Sequence, residues 1–220
     1  MIRISVFLIG MAVMAFGIAM MIRADLGSAP WDVLHIGLYK QLGLTIGTWS
    51  IIIGCMILGM SSILEREWPK AGAFVNMVLV GVFIDVYLLM PWFKTPEMLI
   101  FQWTMLLAGI MIIGFGIGMY ISANLGAGPR DSLMLALTKR TGWPVRRIRS
   151  AMEMIVLTCG WLLGGPVFWG TLIFTFGIGP VVGVTLPMCE RSMTYLLNRR
   201  DQNENIDKRK IRSNHYDRVG

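Results

Sequence analysis

Long runs of apolar residues alternate with short polar stretches along this chain of 220 residues, and the runs lack the regular polar positions of a soluble amphipathic helix. About 20 apolar residues suffice for a helix to cross the hydrocarbon core of a bilayer. Six runs reach or approach that length: about 4–22, 48–64, 71–91, 99–121, 148–164 and 168–188. The pattern therefore predicts an all-α transmembrane protein with six spans.

Two shorter segments begin with a proline that is followed closely by an aspartate. PWDVLHIGLYKQLG, residues 30–43, lies between the first and second spans, and PRDSLMLALTKRTG, residues 129–142, lies between the fourth and fifth. A helix of this length extends only about 21 Å, which is too short to cross a hydrocarbon core of about 30 Å. We predict that each segment is a re-entrant or interfacial half-helix.

The sequence repeats itself with a shift of 99 residues. Between residues 16–43 and 115–142, fourteen of the 28 aligned positions are identical. The identities include turn glycines, a proline, an aspartate and a lysine, a set that apolar composition alone would not reproduce. Each half, about 1–95 and 96–197, holds three spans and one half-helix. Because three is odd, we expect the halves to lie in opposite orientations, a recurring plan of secondary transporters.

Composition agrees with a membrane protein, since 55% of the residues are hydrophobic and only 15% are charged, against about 25% in soluble domains. Lysines and arginines concentrate before the fifth span and after the sixth, as cytoplasmic segments do. We expect both termini in the cytoplasm, a membrane domain over 1–197 and a polar, disordered tail over 198–220. The net charge of +7 then reflects topology and gives no reason to expect nucleic-acid binding.

Two aspartates, Asp32 and Asp131, follow the prolines Pro30 and Pro129 that begin the half-helices. With proline at the first helical position, each carboxylate lies in the first turn, beside the positive end of the helix dipole. Ionisable groups at membrane depth are costly and often functional. Two interpretations stay open: each aspartate caps its own helix, or both line a shared site for a cation or a zwitterion.

The first half-helix carries a polar stripe of Asp32, His35 and Tyr39, which lie within about 60° of one another around the helix. The second half-helix keeps only Asp131 and Thr138 of that stripe, so a shared site would be asymmetric. The two helix-start motifs complete the set of candidate positions: Gly27, Pro30, Gly126, Pro129 and Arg130.

Asp85 interrupts the third span, in the stretch VGVFIDVYLL, and is the acid that lies deepest in a predicted span. Gly81 lies one helical turn earlier on the same face, so we expect the carboxylate to point into the helix bundle. Two roles stay open for it. Asp85 either pairs with a polar group on a neighbouring helix or couples transport to a proton or another ion.

Pairs of small residues four positions apart occur in three spans and allow helix backbones to approach closely. These pairs are Ala15 and Ala19, Gly114 and Gly118, and Gly179 and Gly183. We expect their faces to pack inside the bundle or across a homodimer.

The stretch ADLGSAPWD, together with Gly170-Thr171 and Gly179-Pro180, resembles the bacterial YczE-like membrane proteins of the wider YczE/YyaS/YitT group. The similarity covers about residues 5–195. The second copy departs from the motif, with Arg130 at the position where the first copy has Trp31. The resemblance implies a polytopic protein of the bacterial plasma membrane and brings no catalytic residue to carry over.

No motif for nucleotide binding, metal-dependent hydrolysis or nucleophilic catalysis occurs, so we expect neither an enzyme nor a cofactor. Cys55, Cys159 and Cys189 have no metal-ligand spacing, and no metal site is expected. The leading hypothesis is a protein that binds or transports a small solute where the two half-helices meet in the lipid bilayer. The alternative is a non-transporting adaptor that regulates a cytoplasmic partner through its basic loop and tail.

Overall fold

The structure, a computed structural model, describes residues 2–68, 71–126 and 128–216, with side chains described as far as Asn198. Within these ranges the chain forms eight α-helices and no strand, which confirms the all-α class. The helices are α1 (Ile2–Ala24), α2 (Pro30–Leu42), α3 (Ile46–Glu65), α4 (Ala71–Leu89), α5 (Leu99–Ser122), α6 (Pro129–Thr141), α7 (Val145–Leu162) and α8 (Trp169–Tyr216).

Five of the helices in the described part of the chain are long and apolar enough to cross a membrane: α1, α3, α4, α5 and the Trp169–Asn198 part of α8. They agree with a multi-pass membrane protein. α7 corresponds to the predicted fifth span, but four of its first nine residues are charged: Arg146, Arg147, Arg149 and Glu153. Because of these charges, α7 is not among the helices that are apolar enough to cross a membrane. The predicted count of six spans is therefore not confirmed.

The two short helices α2 and α6 begin at Pro30 and Pro129, as the proline positions predict, and each contains 13 residues. Proline is favoured in the first turn because its missing N–H has no partner there in any case. Both helices stop at a glycine with positive φ, 74° at Gly43 and 71° at Gly142, a conformation that ends helices readily.

α1 and α5 form the centre of the bundle and pack with their backbones nearly in contact. A Cβ atom added to Gly17 would lie 2.8 Å from the carbonyl oxygen of Gly109, and one added to Gly116 would lie 2.8 Å from the carbonyl oxygen of Gly10. Gly10 and Gly17 on α1 thus meet Gly116 and Gly109 on α5. Because the order of contacts reverses along the second helix, the two helices are antiparallel.

Each short helix packs mainly against a long helix from the other half of the chain: α2 against α7, and α6 against α3. Two lysines at equivalent positions, 99 residues apart, add one polar contact to each pairing. Lys40 of α2 donates to the carbonyl oxygen of Gly164 after α7, at 3.0 Å. Lys139 of α6 pairs with the Glu65 carboxylate at the end of α3, at 2.9 Å. The halves are therefore interleaved.

The glycine turn before each short helix lies against the first residues of another long helix. Gly27 has a φ of 101° and Gly126 a φ of 144°, backbone conformations that favour glycine. The Gly170 N–H at the start of α8 donates to the carbonyl oxygen of Leu26, at 2.7 Å. A Cβ atom on Gly72, at the start of α4, would overlap the carbonyl oxygen of Leu125. These contacts fix where α2 and α6 begin.

The three pairs of small residues lie in different surroundings. Ala15 and Ala19 are fully buried, and Gly114 and Gly118 pack against α8, where the Thr185 hydroxyl donates to the carbonyl oxygen of Gly114 at 2.8 Å. Gly179 and Gly183 have open space where a Cβ atom would stand. A homodimer across that face of α8 stays a prediction.

The last helix, α8, continues to Tyr216, in a region where we predict a disordered tail over 198–220. Side chains beyond Asn198 and residues 217–220 lie outside the described part of the chain. No contact therefore tests the predicted tail, or the division of the chain at residue 197.

Candidate functional site

A cavity of about 320 Å³ lies in the middle of the bundle and is lined by residues from all eight helices. Its walls are mostly isoleucine, valine and methionine side chains. Its polar lining comes largely from the first turns of α2 and α6 and from the facing helices: Asp32, His35, Ser50, Asn76, Tyr120, Arg130, Asp131, Arg149 and Glu153. A mostly apolar pocket with a few convergent polar groups is the usual form of a small-molecule site.

Asp32 and His35 form the most deeply buried part of this lining, each with only 1% of its surface exposed. The Nδ1 atom of His35 lies 3.7 Å from the Oδ1 atom of Asp32, which is longer than a hydrogen bond. Neither of these two atoms has a hydrogen-bond partner. Buried polar atoms are seldom left unpaired, because desolvation without a partner costs about 1–3 kcal/mol. The pair is thus available to a ligand.

Both aspartates of the helix-start motifs line the same cavity, but they make different local contacts. Neither α2 nor α6 has a side-chain cap at the residue that precedes it. The Asp131 carboxylate interacts with the backbone of Gly128 and with the Tyr120 hydroxyl, whereas Asp32 leaves its Oδ1 atom unbonded. Asp131 therefore contributes to its helix start, and Asp32 keeps a free acceptor.

Arg130 is one of two arginines that line the cavity. Its Cζ atom lies 4.7 Å from the centroid of the Trp31 ring, a cation–π contact between the two helix-start motifs. Its charge also interacts with the carboxylates of Asp32, Asp131 and Glu153. A single guanidinium group thereby links the starts of α2 and α6 to α7.

Asn76, Tyr120 and Asp131 meet around Gly128. A Cβ atom on Gly128 would lie 3.5 Å from Asn76 Oδ1, 3.8 Å from Asp131 Oδ2 and 4.0 Å from the Tyr120 hydroxyl oxygen. Asn76 is buried, and its Nδ2 atom has no hydrogen-bond partner. The cavity therefore offers a free amide donor on α4 as well as the free acceptor on α2.

Exposure differs between the two ends of the polar lining. Arg149 and Glu153 pair at 3.0 Å, with 56% and 26% of their side chains exposed, whereas the side chains of Asp32 and His35 are 2% exposed. The α7 pair thus forms an outer edge, and Asp32 with His35 forms the closed inner end.

Asp85 and Tyr39, two of the sequence-derived candidates, lie outside the cavity. The Asp85 carboxylate accepts from the Gly47 N–H at 2.8 Å and from the Thr45 hydroxyl, so it caps the first turn of α3. It lies one helical turn before the end of α4 at Leu89. Tyr39 is 47% exposed near the end of α2.

Sequence reasoning missed several residues of the lining. Asn76 is the one amide within an apolar run over 71–91, which was a usable signal. Tyr120 gives no such signal, and the spacing of Arg149 and Glu153 predicts only an ordinary helix pair. In the part of the chain that the structure describes, no three metal-ligating side chains come together.

Comparison with known proteins places the chain in a family. The model of the "Family of unknown function (DUF6198)" matches residues 1–187. The chain is 42% identical over 200 residues to the "Uncharacterized membrane protein YczE" of Bacillus subtilis (strain 168), covering 90% of this chain and 92% of that protein. No solved structure gives a significant match.

Two further relatives are more distant. An "Uncharacterized protein" of Haemophilus influenzae is 33% identical over 190 residues, which cover 86% of this chain and 85% of the relative. The "Uncharacterized protein YyaS" of Bacillus subtilis is 28% identical over 186 residues, which cover 83% and 92%. These matches confirm the resemblance carried by the helix-start motif, and the chain belongs to the DUF6198 family of YczE-like membrane proteins.

Proposed function

We propose that this protein is a plasma-membrane transporter that binds a small solute in the central cavity. The observation that carries the proposal is the meeting of two short-helix starts, which bring Asp32, Arg130 and Asp131 into one cavity. Helix capping alone does not require Asp32 and His35 to be buried with unpaired polar atoms. Such atoms are expected in a binding site, because the ligand supplies the missing hydrogen-bond partners.

An inverted repeat is the architecture that best accounts for the packing. The equivalent helices α1 and α5 run antiparallel, with Gly10 against Gly116 and Gly17 against Gly109. Gly10 is equivalent to Gly109, and Gly17 to Gly116, so exchanging the two copies converts the first contact into the second. A two-fold axis in the membrane plane requires this relationship. In this architecture α7 is the counterpart of α3 and makes the sixth crossing, with its arginines at the membrane surface.

The positive-inside rule orients the protein. Exposed basic residues cluster at the turn between α6 and α7, namely Lys139, Arg140, Arg146 and Arg147, which assigns that turn to the cytoplasm. Both termini are then cytoplasmic. The outer edge of the cavity, at Arg149 and Glu153, faces the same side, so this conformation is open toward the cytoplasm.

The alternative function, an adaptor for a cytoplasmic partner, draws on the same basic turn. Topology alone accounts for those charges. An adaptor has no need of a cavity lined with buried, unpaired polar atoms, and the cavity therefore favours the transporter.

Uptake into proteoliposomes tests the proposal. We expect that at least one of three labelled probes, phenethylamine, 3-phenylpropionate and phenylalanine, enters vesicles containing the protein faster than protein-free vesicles. Asp32→Asn should reduce that uptake at least tenfold. Uptake equal to that of protein-free vesicles for all three probes would count against transport.

A matched control is Asp25→Asn, which makes the same chemical change at an exposed position outside the cavity. Asp25 has a φ of 55°, and its equivalent in the second copy, Asn124, has the same φ. Asparagine is therefore compatible with the backbone there, and uptake should be unchanged.

A further inference from the structure

We infer that the cavity selects a small organic cation, in which a protonated amine is attached to an apolar body, over the corresponding carboxylate. This inference rests on the proposed function, because it assumes that the cavity binds a solute.

The charge of the lining favours a cation. Three carboxylates and two guanidinium groups line the cavity, which gives a formal charge of −1 with His35 neutral. Arg149 pairs with Glu153 at the outer edge and also interacts with Asp131, whereas Arg130 interacts with both Asp32 and Asp131. A bound ammonium group brings the lining to neutrality, whereas a bound carboxylate brings it to −2, which is costly in a medium of low dielectric constant.

The free hydrogen-bonding atoms place the ammonium group near Asp32. Its Oδ1 atom is a fully buried acceptor without a partner, and an ammonium group supplies three donors. Arg130, the cation that a carboxylate would have to reach, already interacts with the Trp31 ring and with carboxylates on three helices. The free group at the closed end is therefore an acceptor. Asn76 Nδ2, the free donor, suits a neutral oxygen on the ligand.

The apolar walls determine the polarity and the size of the rest of the ligand. α1, α3 and α5 contribute only apolar side chains apart from Ser50 and Tyr120. A volume of about 320 Å³ is at the small end of ligand pockets, which span about 300–1,000 Å³. Such a space encloses a single ring or short alkyl chain, and it is too small for a lipid with two acyl chains.

The test is calorimetric titration of the purified full-length protein with three probes of nearly equal shape: phenethylamine, phenethyl alcohol and 3-phenylpropionate. We expect phenethylamine to bind at least tenfold more tightly than 3-phenylpropionate, with the alcohol between them. Asp32→Asn should weaken the affinity for phenethylamine at least tenfold and change the affinity for phenethyl alcohol less than twofold. Retained binding of the alcohol shows that the variant has lost the charge and not the fold. Asp25→Asn is the control for the substitution itself.

Equal or tighter binding of 3-phenylpropionate would overturn the cation preference and leave solute binding intact. Unchanged phenethylamine affinity in Asp32→Asn would also overturn it. Tight phenethylamine binding without uptake in proteoliposomes would support the inference and reject transport. If none of the three probes binds, the inference and the proposed function both fail.

An amine carried by a lipid headgroup has the same chemistry as a free amine. Titration in phosphatidylglycerol nanodiscs with and without phosphatidylethanolamine distinguishes the two sources. Equal affinity for phenethylamine in both supports a free amine, and strong competition by phosphatidylethanolamine would overturn that assignment.

Discussion

Arg130 and Trp31 occupy equivalent positions in the two copies of the sequence, 99 residues apart, and they contact each other, with the guanidinium carbon 4.7 Å from the ring centroid. The helix-start motifs differ at this position, and an identical pair would be less favourable. Two arginines would repel each other, and two tryptophans would remove the cation that interacts with both Asp32 and Asp131. The difference between the copies therefore holds the two half-helices together.

Removing either partner of the Arg130–Trp31 contact should destabilise the protein. We expect Arg130→Ala to lower the free energy of unfolding by about 3 kcal/mol, because it leaves buried carboxylates unpaired. Trp31→Leu should also lower it, since the cation–π contact contributes about 1–2 kcal/mol and the buried Trp31 ring clusters with Ile57 and Leu133. Denaturant titration in detergent measures both values.

Asp32→Asn provides the check on this explanation. In a protein that already carries Asp32→Asn, the loss of unfolding free energy caused by Arg130→Ala should be smaller by at least 1 kcal/mol, because one of the unpaired carboxylates is gone. Additive effects in the double variant would contradict electrostatic coupling between Arg130 and Asp32.

Asp85 should behave as a helix cap and not as a binding residue. Asp85→Ala removes the acceptor for the Gly47 N–H and the Thr45 hydroxyl, and we expect the protein to lose about 1 kcal/mol of stability. Binding of phenethylamine should be unchanged within twofold. A tenfold weaker affinity for phenethylamine in a folded Asp85→Ala protein would instead show that Asp85 contributes to binding.

The bounds of the two short helices were well predicted from the sequence because prolines and glycines fix them locally. Pro30 and Pro129 begin the short helices, and Gly43 and Gly142 follow their ends. The repeat also identified Asp32 and Asp131 as related positions. Local signals of this kind need no knowledge of which helices are neighbours.

The remainder of the cavity depends on packing between distant elements, and its residues were therefore harder to find. Tyr120 reaches Asp131 only because α5 passes beside the start of α6. Asp85 caps the first turn of α3 only because α4 passes beside that turn, a contact that an apolar run does not reveal. In each case the missing information was which helix lies opposite.

The glycines between α1 and α5 should not tolerate even a methyl group. A Cβ atom on Gly17 would lie 2.8 Å from atoms of Gly109 and Ile113, so Gly17→Ala should lower the melting temperature and cost about 1–3 kcal/mol. Gly59 on α3 is the matched control, because a Cβ atom added there would have no neighbouring atom within 4 Å. Gly59→Ala should be neutral or stabilising by up to about 1 kcal/mol. Equal melting temperatures for the two variants would contradict the close packing of α1 on α5.

The proposed inverted repeat predicts labelling of the two halves from opposite sides of the membrane. Leu44 and Trp143 are equivalent positions just after α2 and α6, and both are exposed. In a background without the three native cysteines, an impermeant maleimide should label Leu44→Cys in intact cells. Trp143→Cys should react only after permeabilisation.

Phe168→Cys extends this prediction to α7, the proposed sixth crossing. Phe168 is 59% exposed between α7 and α8, and it lies on the side opposite to Trp143 only if α7 spans the membrane. We expect Phe168→Cys to be labelled in intact cells, as Leu44→Cys is. Labelling of Phe168→Cys and Trp143→Cys from the same side would mean that α7 does not cross, because its charged first half then keeps the whole helix at the surface.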